Sequence, residues 1–270
     1  MAFPKTERVR YRNCPLVQVI CQLRFPIDLS IDKDLPADFQ KAIKEDYPTL
    51  TQSVEYGPKI GINLGDSNIS LADGQFQSKV NYCFVSSDGN WSINLTDTFI
   101  SLSTASEGVY TTWEDFRNRF SGPLAEFRRI YKPPFYTRVG LRYIDAYRRK
   151  KLNLEGVQWA DLLQPEIMGM IACSEEGYAE EFISSNQVSD MRLEDENMMH
   201  VQVALGTING DPSNEVGAIV DVDSFHEGQI CTEGQEYEEK LNALHSNSSD
   251  FSRWSITVTM KNALGWDEIR

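Results

Sequence analysis

Between residues 76 and 102 the chain alternates apolar and polar side chains through short runs separated by turn residues, and no other pattern restricts its fold as tightly. Phe76, Val80, Tyr82 and Phe84 share one parity. Ser87-Asp88-Gly89-Asn90 follows, and then Trp91, Ile93 and Leu95 alternate with polar neighbours. Thr96-Asp97 turns again, and Phe99-Ile100-Ser101-Leu102 returns. A period of two places every apolar residue on one face of a sheet, and Asp-Gly between two such runs is a hairpin signal. An antiparallel meander with one buried face is predicted, with a weaker strand near 59–64.

Around it, 16–25 reads as a strand stopped by Pro26. Leu35, Phe39, Ile43 and Tyr47 recur every fourth residue, one face of a helix closed by Pro48. Thr112 is placed to cap a helix with acids in its first turn. Its stripe is Trp113, Phe116, Phe120, Leu124 and Phe127, and Gly122-Pro123 is expected to kink or split it. Beyond Pro133-Pro134, 138–147 reads as a strand and 156–163 as a short helical piece. Strand candidates follow at 169–171, 180–184, 199–208 and 216–223. An acidic helix begins near Gly234 with Tyr237, Leu241 and Leu244 on one face. From Phe251 the tail fits a helix by Phe251, Trp254 and Val258, and a strand by Ile256-Thr257-Val258-Thr259.

Each half thus reads strand, helix, antiparallel meander, helix. The expectation is an α+β fold of two similar halves, 1–134 and 135–270, packed together. It is a helix-grip, pseudo-dimeric arrangement with TATA-binding-protein-like topology. A likeness of topology carries no DNA binding with it.

Charge is split between the same halves. Residues 1–150 hold 20 Lys/Arg against 17 Asp/Glu, and residues 151–270 hold 6 against 23, so the second half carries −17 of a net −14. That balance disfavours general attraction to nucleic acid or an anionic membrane and favours a basic partner. With 41% apolar residues the chain can build a core. No apolar run reaches membrane-span length and the first residues lack a signal core, so a cytoplasmic protein is expected. Cys14, Cys21, Cys83, Cys173 and Cys231 form no Cys-x-x-Cys pair, which points to buried thiols in a reducing compartment. No cofactor is expected.

Three sets of residues carry candidate chemistry. The segment 128–151 holds Arg128, Arg129, Lys132, Arg138, Arg142, Arg148, Arg149, Lys150 and Lys151, interleaved with Tyr131, Phe135, Tyr136, Tyr143 and Tyr147. Guanidinium forks beside stacking rings suit a nucleotide or nucleic acid. The plainer alternative is that these cations pair with acids of the second half. Asp221-Val222-Asp223 would point two carboxylates to one side of a strand, where they could share a divalent ion. Glu194-Asp195-Glu196 reads as a solvated loop. Glu175, Glu176, Glu180 and Glu181, with Glu233, Glu236, Glu238 and Glu239 on the acidic helix, make a surface that could capture a basic protein. His200, His226 and His245 lie in no triad or metalloprotease motif, and no catalytic residue is assigned.

Several blocks together carry a resemblance. They are Asn13-Cys14-Pro15-Leu16-Val17-Gln18-Val19, Leu23-Arg24-Phe25-Pro26, Phe99-Ile100-Ser101-Leu102, and Tyr110 with Trp113 and Phe116. Arg138-Val139-Gly140-Leu141-Arg142-Tyr143, Asp221-Val222-Asp223, Leu244-His245 and Phe251 complete the set. The chain resembles a sporadically distributed, largely uncharacterised prokaryotic protein family. The resemblance implies no established activity; its patchy occurrence implies mobile or defence-associated genes. The chain departs from the pattern at Gly122-Pro123, where one long helix is implied, and at Gln18, where an acid is implied.

The leading expectation is a non-enzymatic protein-binding module, an antitoxin, immunity or defence component, that docks a basic partner through its acidic half. A nucleotide or nucleic-acid binder using 128–151 is the alternative, and a metal-dependent hydrolase built on Asp221 and Asp223 is the third. Self-association into a homo-oligomer is compatible with each.

Overall fold

The computed structural model describes residues 3–5, 9–57, 77–104, 106–173, 184–207 and 215–268. Its strands are β1 (Val9–Tyr11), β2 (Leu16–Arg24), β3 (Thr49–Gly57), β4 (Gln77–Val85), β5 (Trp91–Leu95), β6 (Phe99–Thr104), β7 (Tyr136–Tyr147), β8 (Ser185–Arg192), β9 (Met198–Thr207), β10 (Val216–Ile230) and β11 (Trp266–Glu268). Its helices are α1 (Ser30–Lys33), α2 (Ala37–Ile43), α3 (Trp113–Tyr131), α4 (Pro165–Met168), α5 (Gln235–Ser255) and α6 (Val258–Leu264).

One antiparallel sheet of nine strands runs through the molecule in the order β3-β4-β5-β6-β2-β7-β10-β9-β8, and β1 pairs separately with β11. This corrects the expectation of two similar halves with TATA-binding-protein-like topology. β2 and β7 pair directly from Leu16↔Asp145 to Arg24↔Arg138, so the strands of both halves form a single sheet. Among the described residues the second half has no counterpart of α2. Between β7 and β8 the described chain makes only 3-10 turns and the four-residue α4. The similar order of elements reflected strands and helices alternating to cover one face; it did not mark a repeated unit.

The meander predicted at 76–102 is β4, β5 and β6. Its first turn is fastened by side chains. Ser86 Oγ donates to Asp88 Oδ1 at 2.6 Å, the Asn90 amide donates to the same oxygen at 3.0 Å, and Gly89 takes a φ of +73°. Phe39, Ile43 and Tyr47 are buried, although α2 ends before Tyr47; Leu35, expected on the same face, precedes α2 at a φ of +56° and is exposed. Thr112 caps α3, its hydroxyl accepting from the Asp115 amide at 3.1 Å. Helix α3 runs as one element through Gly122-Pro123, contrary to the expected split. Its stripe of Trp113, Phe116, Phe120, Leu124 and Phe127 is buried on both sides of the proline, and that packing offsets the missing hydrogen bond. Residues 169–171 form a 3-10 turn where a strand was expected, and 180–183 lie outside the described residues.

Most of the large apolar side chains that the strands bury lie on one face. One cluster joins Val19, Leu23, Phe84, Ile93, Leu102, Val139 and Leu141 to α2, α3 and the first part of α5. A second joins Tyr147, Val201, Val203, Val220 and Val222 to Phe251, Met260 and Leu264. The opposite face carries the other parity, which is mostly polar: Ser92, Asn94, Ser101, Ser103, Gln22, Arg24, Arg138, Arg142, Asp221, Asp223 and His200, with Ile20, Ile144, Ile219 and Phe225 among them. Among the described residues no helix packs on that face, a common arrangement for antiparallel sheets.

Candidate functional site

Most of the basic segment is engaged within the fold. Arg142 lies opposite Asp223 in the β7–β10 register and reaches diagonally to Asp221. Its Nε donates to Oδ1 at 2.7 Å and its Nη2 to Oδ2, a two-pronged grip. That contact, with the charge of Asp223 nearby, raises the Arg142 pKa above its ordinary value. Arg138 lies flat along the sheet. Its Nη2 donates to Asp223 Oδ2 at 2.8 Å, its Nη1 to Gln22 Oε1 at 3.4 Å, and its guanidinium covers the Phe225 ring at 4.3 Å. It can do so because residue 140 is glycine: a Cβ there would sit 2.3 Å from Arg138 Nη1. The Arg-Val-Gly-Leu-Arg-Tyr block therefore has a physical reading. Two arginines four residues apart on one face of β7 meet two aspartates at alternate positions of β10, and the glycine midway between the arginines makes room.

The rest of the segment is dispersed. Arg128 donates to the Tyr136 hydroxyl at 3.0 Å and stacks over Tyr237, and Arg129 pairs with Glu126. Arg148 and Lys151 share Glu107. Arg149 donates to the Val157 carbonyl and covers Trp159. Lys132 and Lys150 have exposed side chains. Asp221 and Asp223 share one side of β10, as strand pitch requires, but each faces a guanidinium. Among the described residues no cluster of three or more His, Cys, Asp or Glu could hold a metal ion.

The acids of the second half gather elsewhere. β10 runs past Asp223 to His226 and Glu227, at the end of the sheet where the β8–β9 loop turns back. His226 Nδ1 lies 3.1 Å from Asn197 Oδ1 in that loop. Burial lowers the His226 pKa and Lys240 adds to this, while Glu196, Glu236 and Asp195 pull the other way. That opposition places the loop acids beside the start of α5. Glu194, Asp195, Glu196, Glu227, Glu233, Glu236 and Glu239 are exposed there. None of them forms a salt bridge among the described residues. Glu236 instead accepts from the Cys231 amide at 3.1 Å, and Glu238 pairs with Arg117 at 3.4 Å. Asp195 and Glu196 both hold positive φ, 55° and 58°, which costs a non-glycine residue about 1–2 kcal/mol each. Glu175, Glu176, Glu180 and Glu181 lie outside the described residues.

Glu194, Asp195, Glu196 and Glu227 are the site residues that sequence reasoning passed over. Nothing in the sequence marked the loop as facing the acidic helix; only the register of β8, β9 and β10 brings them together.

No family model and no curated protein matches this sequence. Among the described residues no helix is long and apolar enough to cross a membrane.

Proposed function

We propose that this protein is a non-enzymatic binding module that docks a basic protein partner against the acidic end of its second half. The observation that carries this reading is a contrast in pairing. Arg138, Arg142, Arg148 and Lys151 have acidic partners inside the fold, whereas the seven acids of the β8–β9 loop, the end of β10 and the start of α5 form no salt bridge among the described residues. These seven are among the 23 acids that give the second half its −17 balance. A field of that kind speeds encounter with a basic partner and weakens with salt.

The nucleic-acid alternative draws less support, because Arg138 and Arg142, its central residues, are held by Asp223 and Asp221. One experiment weighs both. The tagged protein is incubated at low salt with lysate of its host, and in parallel with single-stranded and duplex oligonucleotides. A basic protein retained in stoichiometric amount, and lost in the Glu233→Gln/Glu236→Gln/Glu239→Gln variant, is expected. Retention of oligonucleotide that ignores those substitutions would overturn the reading.

A further inference from the structure

A cleft of about 150 Å³ opens where the two apolar clusters meet, between Tyr143 of the first and Tyr147 of the second. Its walls are Tyr11 of β1, Cys14, the end of β7, and the Ser248–Arg253 stretch of α5. At its base is Asp145, only 7% exposed.

Buried carboxyl groups normally have a cation or several donors. Asp145 has the Tyr147 hydroxyl, which donates to it, and no cation among the described residues. The groups that face it are known on each element. β1 supplies Tyr11, the turn before β2 supplies Cys14, and β7 itself supplies Tyr143 and Tyr147. Glu107 and Lys151 act on Cys14 from beyond. On α5, Ser248 lies against Ser224 at 2.8 Å, and Arg253 lines the cleft while pairing with Asp250 at 2.9 Å. Tyr143 is anchored by His245, its hydroxyl 2.8 Å from Nδ1.

We propose that this cleft binds a small organic ammonium ion, its charge met by Asp145 and its surroundings formed by Tyr11, Tyr143 and Tyr147. The ammonium supplies the countercharge and donors that Asp145 lacks, and tyrosine rings attract a cation by their faces. An anion would be repelled by the ionised carboxylate, and an apolar guest would leave the carboxyl with the Tyr147 hydroxyl alone. The volume corresponds to roughly five waters, at about 30 Å³ each, so the guest has only a few heavy atoms. A simple alkylamine and a small α-amino acid share this chemistry. Arg253 separates them, since only the amino acid brings a carboxylate for it. Burial raises the Asp145 pKa to about 7. Binding below that pH must therefore expel the carboxyl proton to solvent.

Calorimetric titration of the full chain with ethylammonium, with alanine, and with ethanol as the neutral analogue tests the proposal. Saturable binding of at least one amine is expected, about 30-fold weaker at pH 5.5 than at pH 8, with protons released at the lower pH. Asp145→Asn, whose folding is checked by its melting temperature, should reduce affinity at least tenfold. Ser252→Phe, which fills the cleft from α5, should abolish binding and gives the answer if Asp145→Asn does not fold. Arg253→Gln should weaken alanine and leave ethylammonium unchanged if the natural guest is an amino acid; equal effects on both assign the site to plain amines. Ethanol binding as well as the amines, unchanged affinity in Asp145→Asn, or no heat from any amine at millimolar concentration would each overturn it.

Discussion

Strand β10 carries acids of two kinds a few residues apart. Asp221 and Asp223 sit mid-strand beside β7, where Arg142 and Arg138 reach them diagonally along the sheet. Glu227 is the last residue of β10 paired with β7 before the register shifts, opposite Arg138, and it is exposed, with the acids of the β8–β9 loop and α5 near that end of the strand. The residue types are alike and the roles are not. What separates them is which carboxylate each guanidinium reaches: Arg138 stands opposite Glu227 but its Nη2 turns to Asp223. A count of charges along the chain predicts neither outcome. Asp145, one strand over, is a third case: buried, with a hydroxyl and no cation.

That comparison can be broken in four ways, beginning with the largest effect. Asp145 has a folded pKa near 7 against an ordinary 3.8, so the folded state holds its proton more tightly than the unfolded chain. Its contribution to stability is then full below about pH 4, falls as pH rises towards 7, and is flat above. The loss is on the order of 4 kcal/mol. Asp145→Asn should remove this dependence and be the more stable protein at pH 8 by denaturant unfolding. Arg138→Met strands Asp223 on the sheet and should cost about 3 kcal/mol in the same measurement. Gly140→Ala should cost about 1–2 kcal/mol, because the new methyl displaces the Arg138 guanidinium. In the Arg138→Met background it should cost much less, and a full cost in both backgrounds would show that the glycine serves something else. Glu233→Gln with Glu239→Gln should change stability by less than about 0.5 kcal/mol. A large loss there would mean that the acidic end is structural.

Much of the packed face was legible. Alternation at Tyr82, Phe84, Trp91, Ile93 and Leu95 and the stripe from Trp113 to Phe127 each announced what they bury, because a local period determines which side chains share a face. What could not be read is non-local. Nothing near Gln18 or Leu141 says that β2 and β7 are neighbours, so one sheet looked like two. The capping Thr112 was visible, yet Pro123 outweighed it in the reading of α3, where the tertiary burial of Phe120 and Leu124 decided the matter. The acidic patch was half visible: Glu233 to Glu239 stood out, while Glu194 to Glu196 needed the β8–β9 hairpin to bring them in. Asp145 gave no signal, for burial without a cation is a property of the assembled seam.

The central position of β2 has a cost in time. Its apolar side chains leave water only when β6 and β7 flank it, and β7 is made long after β2. At about 5–20 residues per second of synthesis, β2 waits on the order of ten seconds with unpaired edges. Few local contacts can shorten that interval, so this fold should form slowly and depend on protection while the chain emerges. Substitutions in Arg138–Tyr147 should then lower the yield of folded protein more than equal losses of stability placed in the early meander.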